Sequence, residues 1–161
     1  MVTTYGDSTN YQWVIAISTA QSSGPSGDIL YLMCEKVTGN LNSKNKISNY
    51  MGGSSFSLRS GKRGNCVTLH KCVVVKYSGQ STLTSSMNAI LLFFAQFTKT
   101  SQAPAYLFVK NWNDSDFLAI GMDAGVTAQT DYMTGYPTSG SWTMEKNVMY
   151  FDSIKFEECL N

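Results

Sequence analysis

Hydrophobic and polar residues alternate along several stretches of this chain, with the period of two that is typical of half-buried β-strands. The alternation is clearest over residues 67–77, where one face is mostly apolar. The closing stretch alternates in the same way through Met149, Phe151, Ile154 and Phe156. Asp152-Ser153 interrupts that pattern, which predicts either a β-bulge or an exposed pair between two buried halves.

Clusters of Gly, Ser and Asn divide the chain at intervals typical of β-sandwiches and barrels. Between them eight strands are predicted, over residues 12–19, 29–37, 55–59, 67–77, 88–97, 106–112, 117–122 and 142–156. The apolar run at 88–97 is also compatible with a short helix, but its phenylalanines favour a strand. Eight short strands in a single domain, residues 1–161, predict an all-β fold: a jelly-roll β-sandwich of about eight antiparallel strands.

The composition narrows the possible classes of protein. The chain has 161 residues, of which 43% are hydrophobic, and this is enough for one packed core. Only 14% are charged, so disorder driven by high net charge is excluded, and the length excludes a multidomain enzyme. The longest apolar run, residues 89–95, is far shorter than the roughly 20 residues of a membrane-spanning helix.

Charged residues are segregated along the sequence. From Lys36 to Lys110 there are ten positive charges and no Asp or Glu, whereas residues 1–35 have a net charge of −3 and residues 111–161 of −6. One interpretation is that the folding of the sheet mixes these segments in space. The other is a basic surface for a polyanion, since Lys and Arg gathered on one face bind phosphates by releasing counterions.

On the second interpretation, the basic residues of this block are candidate nucleic-acid-binding residues. Three of them lie in a Gly-rich loop predicted over residues 57–64, where flexible cations reach a phosphate backbone. The others are spaced through the predicted strands. The candidate residues are Arg59, Lys62, Arg63, Lys71, Lys76, Lys44 and Lys46.

Motifs for catalysis are absent from the sequence. Its single histidine, His70, lies in the middle of a predicted strand, where a structural role is expected. No nucleophile elbow, zinc-protease, phosphate-loop or dinucleotide-binding motif occurs, so we predict no enzymatic activity. A small enzyme on this fold would need a pocket that places an acid beside His70. The acids to consider are Asp114, Asp116 and Asp131.

Three other groups of residues have two interpretations each. Asp114 and Asp116 either supply oxygens to a calcium ion or form a solvated acidic loop. Aromatic side chains in or beside a loop-like stretch, residues 131–141, either stack on a sugar ring or a base or pack in the core or against another subunit; they are Tyr132, Tyr136 and Trp142. The cysteines lack metal-ligand spacing and are either buried free thiols or joined by one or two disulfides; they are Cys34, Cys66, Cys72 and Cys159.

Three segments resemble strands of small viral coat proteins. Residues 59–75 combine a basic glycine turn with an alternating strand, residues 89–94 give a second apolar strand, and residues 149–154 resemble the closing strand. The family is that of the jelly-roll coat proteins of satellite viruses and small single-stranded-DNA viruses. These coats usually carry a basic N-terminal arm. Because residues 1–35 contain no Lys or Arg, the resemblance implies that the block 36–110, or an arm on a longer form, contacts the genome.

A second resemblance is to extracellular adhesion sandwiches of the MAM type and to galactose-binding-like jelly rolls. Trp13, the segment 24–28, Cys72 and the segment 152–156 ahead of Cys159 are similar in order and spacing to the MAM pattern. This resemblance implies a disulfide between Cys72 and Cys159. It also implies a monomeric module that binds sugar or protein ligands.

The coat-protein resemblance agrees better with the low charge and the Ser-, Thr- and Asn-rich composition, because coat subunits bury their flanks against neighbours. It implies a structural capsid protein located in the virion, which self-assembles into a small T=1 icosahedral shell and packages nucleic acid. The expected partners are further copies of the chain and the viral genome, with RNA favoured, and no membrane. No cofactor is expected other than calcium at Asp114 and Asp116.

Overall fold

The computed structural model describes residues 11–40, 43–49, 55–63, 65–77, 83–123, 127–146 and 148–159. This part of the chain contains ten strands and one helix. In chain order they are β1 Trp13–Gln21, β2 Pro25–Asn40, β3 Ser43–Asn49, β4 Ser55–Arg63, β5 Cys66–Tyr77, α1 Leu83–Gln96, β6 Ala105–Asn111, β7 Gly121–Met122, β8 Gln129–Thr130, β9 Met133–Glu145 and β10 Val148–Glu158.

Six strands form a closed barrel in the order β1-β2-β5-β10-β9-β6. All neighbouring strands in the barrel are antiparallel. The shortest seam joins β6 to β9, where three residue pairs run from Ala105–Gly135 to Leu107–Met133. The β3–β4 and β7–β8 hairpins form separate two-stranded sheets.

The barrel core is built from alternate positions of its strands, because successive residues of a strand point to opposite faces. Ile15 and Ile17 on β1 and Leu107 on β6 are fully buried members of this core. The opposite face of β6 is covered as well. There Phe108 packs against Phe117 and Tyr132, with ring centroids 5.1 and 5.6 Å apart.

Three neighbouring strands reverse the face that they present to the core at one shared row. On β5 the core positions change from odd to even numbers across Lys71, whose φ is 51°. On β2 the change occurs across Glu35, which is ion-paired with Lys71. On β10 it occurs across Asp152, where the register with β9 shifts by one residue. The predicted interruption at Asp152-Ser153 is therefore confirmed, as a β-bulge.

The strand predicted over residues 88–97 is wrong, because the segment belongs to the helix α1. Buried positions recur there every three or four residues, at Met87, Ile90, Phe93 and Phe97. That spacing is the period of a helix with one apolar face. A continuous apolar run also has apolar residues at alternate positions, as a buried strand does. The sequence therefore did not distinguish a helix from a strand here. Among the described residues, no helix has the length and hydrophobicity of a membrane span.

The β-rich class is confirmed, but the eight-stranded jelly-roll sandwich is not what the chain forms. A sandwich has two separate sheets, whereas here β1 pairs with β2 on one side and with β6 on the other, which closes one sheet on itself. The strand predicted over 142–156 is two strands, β9 and β10, joined by a turn in which Lys146 has φ 57°. Most of the loop-like stretch 131–141 belongs to β9, and β3 and β8 had no predicted counterpart.

Candidate functional site

The β3–β4 hairpin is inserted between two strands of the barrel. The ladder between β2 and β5 ends at the pair Asn40–Cys66, and both hairpin strands lie in the chain between these two residues. They are paired with each other and belong to their own sheet. β3 and β4 together are the basic hairpin.

The basic hairpin concentrates positive charge on paired backbone. Its strands have 7 and 9 residues and carry five Lys or Arg and no Asp or Glu. Asn45 pairs with Arg59, and Ser43 pairs with Arg63. The structure therefore unites five of the predicted binding residues on one hairpin, namely Lys44, Lys46, Arg59, Lys62 and Arg63. Most of the Gly-rich loop predicted over residues 57–64 is strand β4.

The other two predicted binding residues lie on the barrel. Lys71 is exposed, and its Nζ lies 3.8 Å from Oε2 of Glu35, so that part of its charge is balanced. Lys76 pairs with Tyr31, ten positions along β5 from Cys66, where the basic hairpin departs. At 3.3 Å per residue this separation is about 33 Å. The structure does not bring Lys76 together with the basic hairpin.

A polar cleft of about 300 Å³ opens beside the row at which the strands reverse faces. Three acids line it, Glu35, Glu145 and Asp152, with one base, Lys71. The balance of charge in this cleft is negative, which disfavours phosphate. A nucleic-acid-binding surface is therefore not expected to extend over the side of the barrel that contains Lys71.

An apolar groove of about 300 Å³ separates α1 from the β9–β10 hairpin. Leu91 and Phe94 line it from α1, Phe151 lines it from β10, and Trp142 lines it from β9. Trp142 is 50% exposed, and Leu92, which follows the lining residue Leu91 in α1, is 63% exposed. No charged residue occurs in α1 or in β9 before Glu145. All the residues that line the groove are uncharged.

The two tyrosines that were considered for stacking have packing roles. The Tyr132 ring lies 5.5 Å from that of Tyr106 and 5.6 Å from that of Phe108, measured between centroids. The Tyr136 hydroxyl donates a hydrogen bond of 2.9 Å to the carbonyl oxygen of Gln102, and its ring packs on the core. The packing interpretation is confirmed for both residues.

His70 is held within the β2–β5 ladder, where its Nε2 lies 2.8 Å from Oγ1 of Thr38. Asp131 lines a different cleft, of about 290 Å³, whose lining residues do not include His70. Asp114 and Asp116 are exposed in the turn after β6. In the described part of the chain, no group of three or more His, Cys, Asp or Glu is placed to hold a metal ion.

The four cysteines are free thiols. Cys72 pairs with Cys34 on β2 and with Phe151 on β10, whereas Cys159 lies eight residues beyond Phe151. This distance is about 26 Å along the strand, and the Cα atoms of a disulfide lie within about 7 Å. The Cys72–Cys159 disulfide implied by the MAM resemblance is therefore wrong.

No family model matches the sequence, and no curated protein matches it. The apolar groove was missed at the level of sequence because α1 was predicted to be a strand. The signal that identifies the helix is the three- and four-residue spacing of its buried side chains. The exposed position of Leu92 follows from that spacing.

Proposed function

We propose that this chain is a structural, non-enzymatic protein that binds nucleic acid through the basic hairpin. The observation that carries the proposal is that five Lys or Arg, and no acid, lie on two paired strands outside the barrel sheet. Backbone pairing spaces these residues along a ribbon. Cations arranged in this way neutralise neighbouring phosphates and release the counterions condensed on the polyanion.

Charge elsewhere on the described surface is mixed. Lys71 lies beside Glu35, and Nζ of Lys155 lies 3.3 Å from Oε1 of Glu157. Salt screens exposed charges over about 10 Å at 0.1 M, so these closely spaced opposite charges offer little attraction to a phosphate. Because the net charge of the chain is only +1, attraction of a polyanion has to come from a local concentration of positive charge. This supports the basic hairpin as the contact surface.

Phosphate contacts carry no base specificity, so the basic hairpin is expected to bind many sequences with similar affinity. The coat-protein hypothesis makes single-stranded RNA the ligand. A two-stranded ribbon also fits the major groove of B-DNA, which is about 12 Å wide. A duplex of equal length is therefore the informative competitor.

The second part of the proposal is that copies of the chain associate through the surface that contains the apolar groove. Trp142, which is 50% exposed, lines the groove, and Leu92 and Met144, which are 63% and 37% exposed, lie on the same two elements, α1 and β9. Interface cores are depleted in charged residues and enriched in aromatic side chains and Met. Symmetric contacts of this kind build a closed shell, as in a T=1 capsid within a virion. Because the barrel is not a jelly roll, the coat-protein hypothesis rests on these two surfaces.

The test of binding is fluorescence anisotropy with a labelled single-stranded RNA at about 0.1 M salt. Lys44→Gln/Lys46→Gln is expected to weaken the affinity by more than about tenfold, because it removes two phosphate contacts. The matched control is Lys99→Gln/Lys146→Gln, which makes the same charge change at two exposed lysines in the turns after α1 and β9. Equal loss in both double variants would show that net charge, and not the basic hairpin, is responsible.

The test of association is particle size by light scattering, with and without RNA. The proposal predicts particles much larger than the 17.7 kDa chain, and it predicts that Leu92→Ser/Trp142→Ser shifts them towards the monomer. Since neither residue lies on the basic hairpin, this variant should retain RNA binding. A monomer at low and high salt, with RNA present, would contradict self-assembly and leave the binding result standing.

A further inference from the structure

Two buried cysteines stand opposite each other across the ladder between β2 and β5. Cys34 pairs directly with Cys72, and both are fully buried in the same core cluster. Directly opposed residues of antiparallel strands point to the same face, with Cα atoms about 4.5–5.5 Å apart. A disulfide requires a Cα separation of about 4.4–6.8 Å. The Cα separation expected for directly opposed residues therefore lies within the range of a disulfide.

We propose that Cys34 and Cys72 form an oxidative modification site, at which hydrogen peroxide joins the two thiols in a cross-strand disulfide. Both S–H bonds break and one S–S bond forms, and two electrons pass from sulfur to the peroxide. The O–O bond of the peroxide breaks, and its two oxygens leave as two water molecules that carry the two thiol hydrogens. The inference is independent of nucleic-acid binding.

Cys72 is one of the residues that line the polar cleft, although it has no solvent-exposed surface of its own. Burial raises the pKa of the Cys34 thiol, and the neighbouring Cys72 thiol raises it further. Cys34 is therefore protonated in the folded protein, and thiolate is the reactive form. We expect oxidation of the folded protein to be slower than that of a small free thiol.

The remaining cysteines provide an internal comparison. Cys66 and Cys159 are more exposed than the buried pair. Cys66 stands opposite Asn40 and Glu157, so it has no cysteine across either neighbouring strand. If exposure controls the product, these two thiols are modified first. If cross-strand geometry controls it, the disulfide joins Cys34 to Cys72.

A disulfide at this position closes the segment of chain that contains the basic hairpin. The closed segment runs from β2 through β3 and β4 to β5. Linking its ends restricts the unfolded chain, and this raises stability where the native geometry accepts the bond. The oxidised protein is therefore expected to unfold at a higher temperature than the reduced protein.

The experiment uses the full chain with Cys66→Ser/Cys159→Ser, which leaves only the buried pair. The folded protein is treated with hydrogen peroxide, free thiols are alkylated in denaturant, and the digest is analysed by mass spectrometry. The expected product is a cross-linked Cys34–Cys72 peptide pair two hydrogens lighter than the sum of its parts, with no alkylation at either residue. Its thermal midpoint is expected to rise on oxidation and to return on reduction with a dithiol.

Alkylation of both cysteines, addition of oxygen without a cross-link, or a disulfide between two copies of the chain would overturn the proposal. Cys34→Ala in the same background is the control and should show no loss of two hydrogens. Because substitutions at half-buried positions can impair folding, the unsubstituted protein is treated in parallel. There the proposal predicts the same Cys34–Cys72 cross-link, and a cross-link that joins Cys34 or Cys72 to either of the other two cysteines contradicts it.

Discussion

Nζ of Lys71 on β5 lies 3.8 Å from Oε2 of Glu35 on β2, at the row where both strands reverse the face that they present to the core. Lys71 has a φ of 51°, in the left-handed region that residues with side chains rarely adopt. The two side chains are 73% and 36% exposed, and exposed ion pairs add little to stability. Position 71 therefore contributes mainly through its backbone conformation.

Substitutions at this position test that conclusion. Lys71→Gly should preserve or raise stability, by up to about 1 kcal/mol, because glycine adopts a positive φ without steric cost. Lys71→Val should lower it by about 1–2 kcal/mol, because a β-branched residue is strained there. Lys71→Gln, which removes only the charge, should stay within about 0.5 kcal/mol. Urea unfolding gives the order, and equal stability of the Val and Gln variants would refute the strain.

Gly135 lies at the β6–β9 seam, where β9 also approaches β10 closely. Gly135 pairs with Ala105 on β6 and with Glu158 on β10, and a Cβ at this position would overlap the backbone carbonyl of Glu157. Gly135→Ala is therefore expected to cost more than about 2 kcal/mol of unfolding free energy, or to prevent folding. Gly39→Ala is the control, since its Cβ would make only ordinary contacts. Similar urea midpoints for the two variants would argue against the close approach of Gly135 to β10.

The helical assignment of residues 83–96 predicts that truncation lowers stability strongly at one position and hardly at all at the next. Phe93 is 2% exposed, whereas Leu92 is 63% exposed. Phe93→Ala is expected to cost about 3–5 kcal/mol, as for other buried phenylalanines. Leu92→Ala should change stability by less than about 0.5 kcal/mol. The measurement is chemical unfolding, and a larger loss at Leu92 would show that α1 packs by another face.

The turn between β7 and β8 contains a carboxylate with a lowered pKa. Asp123 accepts hydrogen bonds from the Thr127 hydroxyl and from the N–H groups of Thr127 and Ala128, and these lower its pKa. The pKa of Asp123 is lower in the folded protein than in the unfolded chain, where it is about 4. The stability that these hydrogen bonds contribute is therefore complete above that pH, and it is lost as the pH falls through the folded pKa. NMR titration should give a pKa for Asp123 below that of an aspartate in an unfolded chain. A value at or above it would mean that these hydrogen bonds do not form.

The sequence predicted the strands in which buried and exposed positions alternate. The run Val67 to Tyr77 lies within β5, and the interruption at Asp152-Ser153 is a β-bulge. β9 was mostly missed because its Ser-, Thr- and Gly-rich sequence is largely exposed and lacks alternation. Barrel closure was not predictable, because it depends on pairs such as Trp13–Asn111 that join distant segments.

The sequence predicted the basic residues of the candidate site, but not how these residues are arranged in the fold. The absence of Asp and Glu between Lys36 and Lys110 identified the basic residues. A charge pattern carries no information on strand pairing, so it did not separate Arg59 on the basic hairpin from Lys76 at the far end of β5. The opposition of Cys34 and Cys72 likewise follows only from the register of β2 and β5.

The salt dependence of RNA binding tests most directly whether the basic hairpin contacts phosphates. Each phosphate contact with single-stranded RNA contributes about −0.7 to the slope of log K against log salt concentration. Five contacts therefore predict a slope of about −3.5. In Lys44→Gln/Lys46→Gln the slope should be shallower by about 1.4, and in Lys99→Gln/Lys146→Gln it should not change. No measurable binding to RNA, or the same slope in all three proteins, would contradict the account.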